Sequence, residues 1–222
     1  MSHSTTRCTW ILCLALSGVG LLAGCSIFGI RNYEEAEYQL VSKDGDIELR
    51  RYSDSVLVET LVAGEYDEAG NTAFRRLFAY ISGANESKRA VDMTTPVFVE
   101  KQGAPLRVAQ PMLAEETATG WRMSFVLPKE FTLATAPQPN DPLIQLRALS
   151  GATVASLRFS GRMNEQRISE HARQLEAWLP TQSLSASSPI RSAAYDPPFT
   201  LPFLRRNEVQ VEVSAGGREE WH

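Results

Sequence analysis

The sequence predicts an α+β fold, a distorted antiparallel β-barrel made of two β-β-α-β repeats and carrying two helices. Three observations predict it. Stretches such as "GDIELRRY" and "SVLVETLVAG" alternate with the two-residue period of strands. Two other stretches place apolar residues at the 3.6-residue period of amphipathic helices. Finally, the order strand–strand–helix occurs twice without gaps, residues 47–82 aligning on residues 144–179. Identities at that offset include Ile47 with Ile144, Leu49 with Leu146, Arg50 with Arg147, Gly64 with Gly161 and Glu68 with Glu165. A repeat with one apolar sheet face cannot bury it alone, and two copies bury it together.

Each element follows in order. In the first helix, Ala73, Phe74, Leu77, Phe78 and Ile81 share one side, with Arg75 and Arg76 outside it and Gly83 placed to end it. "RAVDMTTPVFVE", "PLRVAQPML" and "WRMSFVLP" are strand-like, and "TAPQPNDP" is a proline-rich loop. The second copy opens with "PLIQLRALS" and "TVASLRFSGRMNE". Its helix, "QRISEHARQLEAWL", sets Ile168, Ala172, Leu175 and Leu179 on one face. In the last strand, "NEVQVEV", Val209, Val211 and Val213 point the same way. Residues 214–222 form a polar tail.

The chain has 222 residues, 43% hydrophobic and 22% charged, which suits one globular domain. Net charge is −4, with lysines and arginines scattered, so the basic stripe that nucleic acid needs is missing. We expect a monomer without a nucleic-acid partner.

At the N-terminus, Arg7 precedes "WILCLALSGVGLLAG", a run too short and too rich in glycine for a membrane span. It ends in "LLAGCS", with Ala23 and Gly24 before Cys25. This resembles the lipobox of bacterial lipoproteins. The resemblance implies that residues 1–24 are a signal peptide, that Cys25 carries acyl chains, and that residues 25–36 form a tether. Each buried methylene adds about 0.8 kcal/mol of membrane affinity, so several chains anchor firmly. Ser26, rather than Asp, favours the periplasmic face of the outer membrane as the location in the cell envelope. Cys8 and Cys13 would leave with the signal, so the mature chain would hold no disulfide and no cysteine metal site.

Several stretches together resemble the SOUL haem-binding protein family: "IELRRYSDSVLVETLV", "AFRRLFAYISGAN", "MTTPV", "MSFVLPKEF" with "PQPNDPLIQL", and "YDPPFTLPFLRRNEV". Their order and spacing fit residues 37–213. The family fold is the two-repeat distorted barrel. The resemblance implies non-covalent binding of haem or another tetrapyrrole in a shallow apolar cleft beside the first helix. Carried onto this chain, the cleft would use Phe74, Leu77, Phe78 and Ile81, with Phe199 and Phe203 from a loop lying alongside. Arg75, Arg76, Arg205 and Arg206 are the candidates for the propionates. The helix stripe also reads as core, and the arginines of "RRNE" also read as ion-pair partners of Glu208. Thermal or spectral response to other flat amphipathic molecules would instead point to the related gyrase-inhibitor-like binding modules, which include hydrolase-like relatives. A third reading is an envelope interaction protein without a ligand.

His171 is the one histidine between the signal and the tail. At the repeat offset it takes the place of Phe74, one helical turn from both Ile168 and Leu175. It is the candidate metal ligand for haem iron, but an isolated histidine at core spacing is more commonly a packing residue. Packing is the reading we favour. H-E-x-x-H, G-x-S-x-G, G-x-G-x-x-G and phosphate-loop motifs are missing, and the glutamate pairs are adjacent residues that point apart. We therefore expect a binding protein, not an enzyme.

Overall fold

A computed structural model describes residues 33–102 and 120–215. The expected signal peptide and lipidated Cys25, the strand expected over 105–113 and the chain beyond residue 215 lie outside the described residues.

Among the described residues there are twelve strands, two α-helices and two short 3-10 turns. In chain order the strands and α-helices are β1 (Glu34–Glu35), β2 (Tyr38–Asp44), β3 (Ile47–Tyr52), β4 (Ser55–Ala63), α1 (Tyr66–Ile81), β5 (Thr94–Thr95), β6 (Val97–Gln102) and β7 (Gly120–Val126). There follow β8 (Ile144–Leu149), β9 (Thr153–Phe159), α2 (Glu165–Trp178), β10 (Leu184–Ala186), β11 (Arg191–Ala194) and β12 (Asn207–Ala215). The main sheet is antiparallel, in the order β2-β3-β9-β12-β11-β6-β7-β4-β8, with β10 added beside β12. It curls into a half-barrel whose edges, β2 and β8, do not meet in the pairing. The expected barrel is thus realised as an open one.

The repeat is real in the backbone. β3 pairs with β9, and β8 pairs with β4, so the first strand of each copy crosses to the second strand of the other. Ile47 faces Leu157 in one pair, and Ile144 faces Thr60 in the other. Those two registers are the same once the repeat offset is applied. Both copies then turn into their helix through a glycine with positive φ, +119° at Gly64 and +105° at Gly161, a region that costs other residues strain. Each glycine carbonyl accepts a side-chain N–H from the neighbouring strand: Trp121 Nε1 to Gly64 at 3.2 Å, and Asn207 Nδ2 to Gly161 at 2.9 Å.

Alternation sends the two faces of the sheet to different cores. Val56, Val58, Met123 and Phe125 pack under α1, and Ala155, Leu157, Val209 and Val211 pack under α2. The residues between them, Leu57, Phe98, Val126, Ala193 and Tyr195, form a third cluster on the other face. The N-terminal segment differs from the expected tether at its end. Glu34 and Glu35 pair with Thr94 and Thr95 in parallel, and the Ala36 amide donates to the Thr95 carbonyl at 2.9 Å. The folded body therefore starts a few residues earlier than residue 37.

Candidate functional site

The outer side of α1 carries the candidate site. Ala69, Ala73, Leu77, Tyr80 and Ile81 recur at helical spacing and are buried against β4 and β7. Phe74 and Phe78 each follow a buried residue by one position, so they are turned about 100° off that stripe. Phe74 is half-buried and meets Phe125 edge-on, with centroids 5.5 Å apart. Phe78, 49% exposed, stacks on Phe74 at 5.8 Å and 14°. Together they form an aromatic ledge rooted in the core and open to solvent.

Two open grooves flank this ledge. One, of about 550 Å³, is lined by Glu68, Asn71, Thr72, Phe74 and Arg75. The second, of about 500 Å³, lies between Arg75, Arg76, Tyr80, Ala84, Asn140 and Asp141. Arg75 is exposed and borders both. Arg76 donates to Thr60 Oγ1 at 2.8 Å and reaches Asp141 at 3.4 Å, so its guanidinium is held in place along the groove wall. Tyr80 forms the groove floor. Burial pushes its phenol up to about 12, and its hydroxyl donates to the Pro137 carbonyl at 2.7 Å. Buried Asn85 orders the adjoining loop, donating to the carbonyls of Tyr80 (3.1 Å) and Arg89 (2.7 Å). Asn140, Asp141 and Ala84 carry no periodic signal as walls, and only the turn-rich "PQPND" hints at the first two.

The structure corrects part of the expected site. Leu77 and Ile81, 0% and 5% exposed, belong to the core under α1 and cannot line a surface cleft. Arg206 is a structural residue: it bonds Glu208 at 2.8 Å and Glu35 at 3.1 Å while covering the Tyr195 ring at 3.8 Å. Those partners take up the guanidinium, so it is not free for a propionate. Arg205 folds back on its own loop, donating to the carbonyls of Thr200 (2.8 Å) and Pro198. Phe199 and Phe203 are 60% and 70% exposed. Their loop is fastened to the start of α2, where the Gly161 amide donates to the Pro202 carbonyl at 2.8 Å, rather than by bonds to α1.

His171 lies on α2 as a packing residue. Its ring stacks on Phe159 with centroids 4.0 Å apart, and Nδ1 is 2.7 Å from the Arg167 carbonyl, so Nδ1 carries the donating proton there. Among the described residues, no group of three or more His, Cys, Asp or Glu side chains is arranged to hold a metal ion.

The arrangement defines a class: a two-repeat α+β half-barrel with a solvent-facing aromatic ledge on its first helix. The family model described as SOUL heme-binding protein matches residues 33–212, and the chain belongs to that family. It is 28% identical to Heme-binding protein 1 of Xenopus laevis over 192 residues, covering 86% of this chain and 96% of the relative. It is also 28% identical to Heme-binding protein 2 of Mus musculus over 169 residues, covering 74% and 77%. Among solved structures, a hydrolase from Listeria innocua aligns with TM-score 0.54 at 12% identity, over 78% of this chain and 94% of that one. The C-terminal domain of EcmrR aligns at 0.52 and 12%, over 80% and 98%. These two likenesses show the fold alone.

Proposed function

We propose that this chain is a lipid-anchored envelope protein that binds haem or a related tetrapyrrole non-covalently on the outer side of α1, to buffer, store or hand on the ring. The observation that carries the reading is the Phe74–Phe78 ledge, an exposed, core-rooted aromatic surface beside Arg75, an exposed cation that no described residue pairs. A flat ring gains by stacking on Phe78 and by covering apolar surface, and the Arg75 guanidinium suits a propionate at the rim. Haem would bring its own redox and ligand chemistry when bound. The chain's contribution is apolar contact and charge at the rim, without a built axial ligand set among the described residues. Membership of the family and the heme-binding relatives support a binding protein over an enzyme. The anchor at Cys25 and the periplasmic face of the outer membrane rest on the lipobox.

A hemin titration followed at the Soret band tests this, using the chain from Ser26 onward, which keeps every described element. We expect a saturable, shifted band in the native sequence. Phe74→Ala should weaken binding about tenfold through lost stacking and buried area. His171→Ala should leave affinity within about twofold, since its Nδ1 and one ring face are engaged inside the protein. A band abolished by His171→Ala would move the ring to α2, and a native chain without a saturable band would end the tetrapyrrole reading.

A further inference from the structure

The loop between β11 and β12, residues 196–206, displays more apolar surface than any role in the fold requires. Phe199, Leu201 and Phe203 are 60%, 38% and 70% exposed, on a segment that also holds Pro197, Pro198 and Pro202. Part of its backbone polarity is nevertheless taken up within the protein. Pro197 O accepts from the Thr200 amide, Leu201 O from the Leu204 amide, and Pro202 O from the Gly161 amide. Arg205 supplies donors to Pro198 O and Thr200 O, and the three prolines have no N–H to satisfy. An apolar tip with five of its carbonyls, those of Pro197, Pro198, Thr200, Leu201 and Pro202, already paired suits a water-poor environment, where unpaired backbone groups are costly.

The loop also sits next to the route toward the anchor. Arg206, at its base, bonds Glu35 at 3.1 Å, and Glu35 is only ten residues beyond Cys25. Even fully extended, ten residues hold Cys25 within roughly 35 Å of Glu35. Tyr33, 40% exposed, stands two residues nearer the anchor, and aromatic side chains favour the membrane–water interface.

We propose that Phe199, Leu201 and Phe203 insert into the interface of the bilayer that carries the lipid anchor, so that the domain is seated on the membrane by its β11–β12 loop. The occupant is a lipid surface, and the proposal rests on the lipoprotein reading of Cys25. In this role Arg205 is the brace of the loop, and the two phenylalanines leave the haem site.

The chain from Ser26 onward contains no cysteine, so a single introduced one takes an environment-sensitive nitrobenzoxadiazole label. Phe203→Cys and Phe199→Cys would be compared with Ser150→Cys, in the turn before β9, at the end of that strand opposite the loop. An N-terminal polyhistidine tag and nickel-chelating lipid in vesicles of phosphatidylethanolamine and phosphatidylglycerol replace the acyl anchor. We expect labels at 203 and 199 to brighten and shift to the blue on the vesicles, and the label at 150 to stay wet. Without nickel lipid, the double substitution Phe199→Ser/Phe203→Ser should lower residual partitioning by about tenfold or more. Labels at 203 and 199 as wet as the one at 150 would overturn the proposal. A blue shift in vesicle-free solution that grows with protein concentration would assign the loop to a second copy and overturn it equally. The mass of Cys25 in the full chain reads the anchor separately, so a missing acyl group and a dry-loop failure are told apart.

Discussion

Glu208→Gln should lower the free energy of unfolding by about 3–5 kcal/mol, the loss typical when one partner is removed from a buried ion pair. Glu208 is fully buried, and its two oxygens gather the polar side of the sheet. Oε2 accepts from Arg50 (2.7 Å), Ser156 (2.7 Å), Tyr195 (2.9 Å) and Gln210 (2.9 Å). Oε1 accepts from Arg50 (3.0 Å) and Arg206 (2.8 Å). An amide there would turn an NH₂ toward donors and leave the Arg50 guanidinium, 2% exposed, without its buried counter-charge and with only the more exposed Glu48 carboxylate beside it. Burial by itself would push the Glu208 carboxyl up. The bonds and charges of Arg50 and Arg206, with the Gln210 amide, outweigh it and hold the carboxyl down to about 2. A lowered carboxyl stabilises above its unfolded value of 4.5 and loses that contribution as pH falls toward 2. Urea unfolding followed by far-UV circular dichroism should show about 3 kcal/mol of acid loss across that window in the native chain, and a flatter profile in Glu208→Gln.

Leu77→Ala and Phe78→Ala, neighbours in sequence, should separate stability from binding. Leu77 is wholly enclosed between α1 and the sheet, and its truncation leaves a cavity worth about 2–5 kcal/mol of unfolding free energy. Phe78 is half in solvent, so Phe78→Ala should change stability by less than about 1 kcal/mol. For hemin the order reverses. Phe78→Ala should weaken binding about tenfold through its lost stacking face, while folded Leu77→Ala should bind nearly as the native chain does. Equal effects of both on hemin affinity would mean that binding follows the integrity of the helix and not the ledge.

The repeat was legible because burial on one sheet face imposes alternation, and both copies face the same geometric demand: Ile47 and Ile144, Arg50 and Arg147, and Gly64 and Gly161 occupy matching places in matching registers. β11 escaped because "RSAA" has no apolar alternation. It is an inner strand between β6 and β12, where Ser192 and Ala193 are buried by neighbours and not by hydrophobicity. The site was half legible. Periodicity placed Phe74, Leu77, Phe78 and Ile81 on one broad side of α1, but a position or two of rotation decides which pair is core and which is ledge. The pairing of Arg206 with Glu208 stood as one of two readings in "RRNE", and geometry chose it. The junction of Arg50 with Glu208, far apart in the chain, is made by a sheet register that no local pattern encodes. Phe199 and Phe203 resemble ligand contacts by residue type. The tie that positions them, a backbone bond from Gly161 to Pro202, leaves no trace in side-chain pattern.

A tetrapyrrole resting on the outer side of α1 would leave a direct magnetic signature there. Paramagnetic broadening of backbone amide signals by ferric hemin, with diamagnetic zinc protoporphyrin as the reference, locates the ring directly. Added hemin should broaden amides from Glu68 to Ser82 and around Asn140 first, leaving Glu165–Trp178 sharp. Broadening centred on His171 and the turn at Gly161, with α1 untouched, would contradict it.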